Sequence, residues 1–276
     1  MGLPLIPDMF STGKSAHGCG HAVQTVSQGT RTMATDYITS STENSGVSIR
    51  TNTYSDRISL ETDTATRKEV IISAGTYGSP AVLLRSGIGS KQEVEKLGIQ
   101  SQVDLPGVGK NLMDHLVVLS FYEVSKPALT NGHLIWHLGG KDKSLADSPL
   151  WNSAPRTKGL DPMGLSPTQP QVEFWNTECY SPRYMFRDFP PDGKYAFAMA
   201  TEFFAPRSRG YHPAGTCKMG RPDDPLAVLD ENLKVRGITG LRVADASVMP
   251  FLVEGHPQMP VYGIAEKAAD LIISGK

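Results

Sequence analysis

Near the C-terminus, Ile264, Ala265, Ala268, Ala269, Leu271 and Ile272 recur at the spacing of one helical face, while Glu266, Lys267 and Asp270 fall on the other. This is the period of an amphipathic helix. Its start is expected just after His256, because Pro257 suits a first helical turn, where its missing N–H would be unpaired anyway. Upstream, Glu69-Val70-Ile71-Ile72-Ser73 predicts a strand, followed by a glycine-rich turn and a short helix in which Val82, Leu83 and Leu84 are buried. Gly240-Leu241-Arg242-Val243-Ala244-Asp245-Ala246-Ser247 reads as an apolar strand that ends on an acid and small residues. Residues 125–209 are broken by prolines and glycines, with short strand-like runs at Gln171–Trp175 and Tyr195–Ala200. A sheet wall carrying loops is the natural reading.

Composition narrows the classes. The 276 residues are long enough for one large domain or two moderate ones. A formal net charge of −1 gives no electrostatic footprint for nucleic acid or an anionic membrane. No apolar run approaches the roughly 20 residues needed to span a bilayer, and the first residues lack the basic stretch and apolar core of a signal peptide. A cytoplasmic chain is the expectation. Cys19, Cys179 and Cys217 form an odd set without metal spacing. His17, Cys19 and His21 do alternate with glycines, but a structural metal wants four ligands and no partner pair is evident. No metal is expected. Gly13-Lys14-Ser15 fails as a phosphate loop, since Asp8 stands where the motif needs glycine.

The chemistry concentrates on two histidines. His212 lies in Tyr211-His212-Pro213-Ala214-Gly215-Thr216-Cys217 and His256 in Glu254-Gly255-His256-Pro257-Gln258, on either side of the apolar strand. A helix opening beside His256 would aim its free N–H groups at an anion, or at a ring that gains negative charge. Gly255, Ala246 and Ser247 are small enough for such a ring to approach the backbone closely. Cys217 is expected to pack beside His212 rather than to react.

These segments resemble the C-terminal, flavin-contacting end of the glucose-methanol-choline (GMC) flavoprotein oxidoreductases, with their His-Pro/Gly-x-Gly-Thr-Cys motif, Val-x-Asp-Ala/Gly-Ser strand end and second histidine at the last helix. Gly75 to Gly89 is similar to the family's internal signature, and Leu105-Pro106-Gly107-Val108-Gly109-Lys110-Asn111-Leu112-Met113-Asp114-His115 to the loop after it. Arg31, Ala34 and Tyr37 fall on a further family stretch, and Val47–Thr53 resembles the strand that precedes the family's adenine contact. The resemblance implies an α/β fold of mixed α+β character: a partial FAD-binding, Rossmann-like domain formed by residues 1–115 and 213–276, and an antiparallel-sheet substrate domain over 116–212. It implies FAD as cofactor and a small-molecule alcohol as substrate. His212 would take the hydroxyl proton as hydride leaves for the flavin, and His256 would hold the substrate oxygen. Asp245 and Ala246 would touch the ribityl and pyrophosphate region, Pro257 and Gln258 the ring, and the backbone near Ser55 the adenine. Trp136, Trp151, Trp175, Tyr180, Phe203 and Phe204 could face an apolar or aromatic alcohol, or be core.

The chain departs from that family in one large respect. Neither the Gly-x-Gly-x-x-Gly turn that carries the pyrophosphate nor the second glycine-rich signature occurs in it, Ser55 stands where relatives usually have valine, and the hairpin after it is short. Weak binding of isolated FAD is therefore expected. Two rival readings follow: a truncated, redox-inactive homologue serving as scaffold or binding protein or arising as a gene fragment, and a non-redox lyase or cyclase using the histidines as acid and base. A place in specialised metabolism is an expectation by family alone.

Overall fold

The computed structural model describes residues 4–6, 18–21, 26–27, 30–31, 33–38, 46–60, 69–123, 151–154, 172–178, 196–208, 212–253 and 255–275. His17, Cys179, Trp136, Tyr180, Tyr211 and Glu254 lie outside them, as do the turn around Gly13 and most of the proline-rich middle. In chain order the strands and helices are β1 (Gly18–His21), β2 (Val26–Ser27), β3 (Thr30–Arg31), β4 (Val70–Ile72), α1 (Gly75–Arg85), β5 (Ile88–Gly89), α2 (Lys91–Lys96), β6 (Val103–Asp104), β7 (Asp114–Glu123), β8 (Trp151–Ala154), β9 (Val172–Glu178), β10 (Ala196–Ser208), β11 (Leu241–Val243) and α3 (Gln258–Ile273). The fold is α/β. Among the described residues no helix is long and apolar enough to cross a membrane.

Two compact units divide the chain: Met1–Tyr54 with Val118–Glu202, and Ser55–Val117 with Phe203–Lys276. A five-stranded sheet has the order β1-β8-β9-β10-β7, and its strands β1, β8 and β9 fall entirely in the first unit. Within it β1 pairs with β8 and β8 with β9, both antiparallel, with Cys19 opposite Ser153 and Asn152 opposite Trp175. The pairing of β1 with β8 joins the first 54 residues to the middle of the chain. The strands at Val172 and Ala196 match the two apolar runs foreseen there. Val47–Thr53, expected as a strand from the resemblance, is not one: it lies outside every ladder of the described residues, with Val47 and Ile49 about half exposed and Asn52 left-handed (φ 52°). A likeness in sequence does not make a strand without a neighbour to take its N–H and C=O groups.

The second unit is built around a parallel pair. β4 and β11 align Val70 with Leu241, Ile71 with Arg242 and Ile72 with Val243. All three β11 residues are buried, as expected of a parallel strand covered on both faces. Arg242 is tolerated there because Glu69 lies 2.5 Å from its Nε and the Asn232 carbonyl accepts from its Nη1. A buried cation without such partners would be prohibitively costly. Helix α1 follows β4 after a turn through Gly75 (φ +80°) and packs Val82 and Leu83 into a core with Ile88, Leu229, Leu241 and Val248. Complete burial of a leucine such as Leu83 contributes about 2 kcal/mol.

The last helix begins one residue later than expected, with Pro257 as its N-cap. Its buried stripe is also narrower than the apolar face in the sequence. Ala268 and Leu271 are buried and Ile264 is half-buried against the core, while Ala265, Ala269 and Ile272 face outward. Positions 264, 268 and 271 share one line along a helix turning about 3.6 residues per turn; 265, 269 and 272 are rotated past it.

Candidate active site

The site lies within the second unit. After β11, Asp245 caps a short 3-10 turn, Ala246–Val248, by accepting from the Ser247 N–H at 2.8 Å. Its other oxygen accepts from the Gly75 N–H at 3.0 Å and from the Ser79 hydroxyl. The residue is buried. Its carboxylate therefore ties the end of β11 to the start of α1, so any cofactor contact by Asp245 falls to its main chain. Ala246 is half-buried.

The segment that carries His212 is laced onto this frame. Gly215, Cys217 and Met219 donate their N–H groups to the carbonyls of Ala246, Ser247 and Val248. Thr76 in the first turn of α1 donates its hydroxyl to the Pro213 carbonyl at 2.7 Å, and Thr216 donates to the Thr76 carbonyl at 2.5 Å. Pro80 inside α1 explains the second bond, because it has no N–H to give the carbonyl four residues earlier. Gly215 is left-handed (φ +87°), and a Cβ there would stand 2.6 Å from the Asn111 carbonyl oxygen. That turn requires glycine.

Met113 and Ala214 exchange both backbone hydrogen bonds in an antiparallel bridge, at 3.0 and 2.9 Å. This sets the start of β7 beside His212. Asp114, buried, accepts from the His212 N–H. His115, fully buried, places its Nδ1 2.9 Å from Nδ1 of His212 and its Nε2 2.9 Å from the Val253 carbonyl oxygen. The two rings meet edge to face, with centroids 5.1 Å apart. On its other side His212 meets the exposed ring of His256, with centroids 5.4 Å apart and planes inclined by 71°.

Thus the two histidines proposed from sequence come together, and a third joins them. His115 stood at the end of a quoted motif without a role. No linear spacing links it to His212; the only sequence signal was an Asp-His pair at the point where a glycine-rich loop enters a strand. Pro257 and Gln258 lie directly after His256 at the opening of α3. Ser55 sits exposed outside any strand or helix, beside the Asp56 that pairs with Arg85 at 3.0 Å. Cys217 is fully buried beside Ser247 and Asp245; burial pushes its thiol up to about 12, against a smaller lowering by the neighbouring Ser247 hydroxyl, with Asp245 adding to the rise. A thiol held neutral in this way is a poor nucleophile. Trp151, Trp175, Phe203 and Phe204 lie on strands whose side chains there are outside the described ones.

Sequence models of the GMC oxidoreductase family match residues 1–117 and 181–265. The chain belongs to the GMC oxidoreductase family. GMC oxidoreductases are FAD-dependent flavoproteins. Among the relatives, the oxygen-dependent choline dehydrogenase of Vibrio vulnificus is 30% identical over 75% of this chain and 51% of its own length. The 5-(hydroxymethyl)furfural oxidase of Methylovorus is 31% identical over 75% and 51%. The versicolorin B synthase of Emericella nidulans is 28% identical over 76% and 47%. The chain thus spans about half the length of the curated relatives it matches. In fold it is similar to the formate oxidase of Aspergillus oryzae, with a TM-score of 0.82 and 20% identity over all of this chain and 68% of that one. It is also similar to the pyridoxine 4-oxidase of Mesorbium loti, with a TM-score of 0.75 and 22% identity over 98% and 66%.

Proposed function

We propose that this GMC oxidoreductase chain carries the histidine-bearing, flavin-facing part of an enzyme that oxidises an alcohol to a carbonyl. The observation that carries the reading is the convergence of His212 and His256 at the opening of α3. The residues around them fit a flavin. Helix α3 has no side-chain cap and no acidic residue in its first turn, so its N-terminal N–H groups favour a neighbour that takes on negative charge. Gly255 (φ +138°) would present a Cβ to open space, leaving room for a flat ring against the backbone.

Ala246, Pro257, Gln258 and the main chain of Asp245 are the contacts we assign to the flavin half of FAD, and the backbone at Ser55 to its adenine. When bound, FAD supplies the two-electron acceptor. His212 removes the hydroxyl proton of the alcohol, and His256 hydrogen-bonds the same oxygen and shares the proton. Asp114 holds the backbone of His212 in place through its N–H. We assign the second unit to the cofactor and the first, with its antiparallel strands, to the substrate.

The names of the choline and hydroxymethylfurfural relatives support an alcohol donor, and that of the versicolorin relative supports a place in specialised metabolism. The last is named a synthase, which favours a second reading: the same histidines acting as acid and base with no redox step. One titration and one assay separate the readings. FAD is expected to bind this 276-residue chain more weakly than about 1 μM. With FAD in excess, a panel of alcohols is expected to bleach the visible flavin absorbance, and His212→Ala to slow the bleaching by about a hundredfold or more. Bleaching unaffected by that substitution excludes His212 as the base; turnover without bleaching establishes the non-redox reading.

A further inference from the structure

The buried ring of His115 touches both sides of the site. Its Nε2 lies 2.9 Å from the Val253 carbonyl oxygen, which also accepts from the Gly255 N–H at 3.1 Å in the turn that leads to His256. Its Nδ1 lies 2.9 Å from Nδ1 of His212. A carbonyl oxygen can only accept, so Nε2 of His115 carries a proton and donates it. The ring is fully buried, where a second proton and its charge would be costly. A neutral imidazole has one N–H, so Nδ1 of His115 accepts, and the hydrogen bond between the rings must run from Nδ1–H of His212. In neutral His212 the lone pair is then on Nε2.

We propose that His115 is a positioning residue that fixes the tautomer of His212, making Nε2 of His212 the basic atom, and that the same ring anchors the turn carrying His256. The role as base rests on the alcohol-oxidation reading; the tautomer does not. A proton acceptor with two nitrogens acts only if the lone pair is on the nitrogen that faces the substrate, so a neighbour that selects the tautomer sets the fraction of competent molecules. Carbonyl, His115 and His212 form a chain of one-way hydrogen bonds, each with its direction dictated by the one before it.

The test is 15N NMR of histidine-labelled full chain at about pH 9, where imidazoles are neutral, without flavin or alcohol, with His212→Gln to assign the signals. His212 is expected to show a protonated Nδ1 and an unprotonated Nε2, and His115 the reverse. His115→Phe removes the acceptor while keeping bulk, and His212 is expected to lose its single tautomer and average between both. His115→Asn, whose side-chain oxygen can accept in place of Nδ1, is expected to restore the wild-type pattern. A His212 proton on Nε2 in the wild-type chain overturns the proposal, as does an unchanged His212 pattern in His115→Phe. The wild-type spectrum decides even if the phenylalanine variant does not fold. Failure of the alcohol-oxidation reading is seen separately, in the bleaching assay with His212→Ala.

Discussion

Thr216 donates its hydroxyl to the carbonyl of Thr76, the acceptor that Pro80 leaves without its helical N–H. Both threonines are buried. A proline that would ordinarily weaken the middle of a helix here supplies the attachment point for the segment bearing His212. Thr216→Val should cost about 2 kcal/mol in urea unfolding, because the buried carbonyl loses its donor. In a Pro80→Ala background the helix can satisfy that carbonyl itself, so the same substitution should cost less than about 1 kcal/mol. Equal costs in both backgrounds would mean that the two residues are not coupled.

Asp245 accepts three hydrogen bonds from Gly75, Ser79 and Ser247. Asp245→Ala leaves two backbone N–H groups without their acceptor and detaches β11 from α1. A loss of about 3 kcal/mol is expected in denaturant titration, together with greater amide hydrogen exchange at Gly75 and Ser247. A loss below about 1 kcal/mol would assign the carboxylate some role other than holding these elements together.

Two apolar residues of the last turn of α3 should respond differently to truncation. Leu271 is 4% exposed within the core, whereas Ile273 is 85% exposed. Leu271→Ala is expected to destabilise by about 2–4 kcal/mol and Ile273→Ala by less than about 0.5 kcal/mol. Thermal unfolding of the two variants side by side checks the narrow buried stripe directly.

Cys217 makes stability depend on alkaline pH. Its folded pKa is raised from 9.0 to about 12, chiefly by burial, so the native state keeps a proton that the unfolded chain gives up. The contribution is complete below 9.0 and declines as pH rises toward 12. The slope in this window is about 1.4 kcal/mol per pH unit. Comparing unfolding midpoints of wild type and Cys217→Ala from pH 8 to about 10.5 should show the two curves parallel at first and converging above 9. Curves that stay parallel would place the thiol in contact with water.

The strand at Val70–Ile72, the turn at Gly75 and the helix carrying Val82 and Leu83 are readable from sequence because local period and punctuation agree there with tertiary packing. The same holds for α3, although periodicity could not separate Ala268, which packs inward, from Ala265, which does not. Val47–Thr53 misleads for the opposite reason: it resembles a family strand in sequence, but a strand is defined by its partner. In the site, His212 and His256 are legible from small residues and prolines around each histidine, and their motif resemblance gives them roles. Asp245 reads as a cofactor contact and is found with its carboxylate spent on the scaffold. His115 is legible as a motif position but not as a partner, since tertiary contacts such as the bridge between Met113 and Ala214 set it against His212.

The hydrogen bonds that assemble the histidine cluster close long loops: 97 residues separate His115 from His212, and 138 separate His115 from Val253. Contacts of such sequence separation form only after much of the chain's configurational freedom has been surrendered, so they belong to slow, late events in folding. The His115–His212 pair is accordingly a clasp, fastened when distant parts of one polypeptide have already found each other, so the arrangement exists only in molecules that have finished folding.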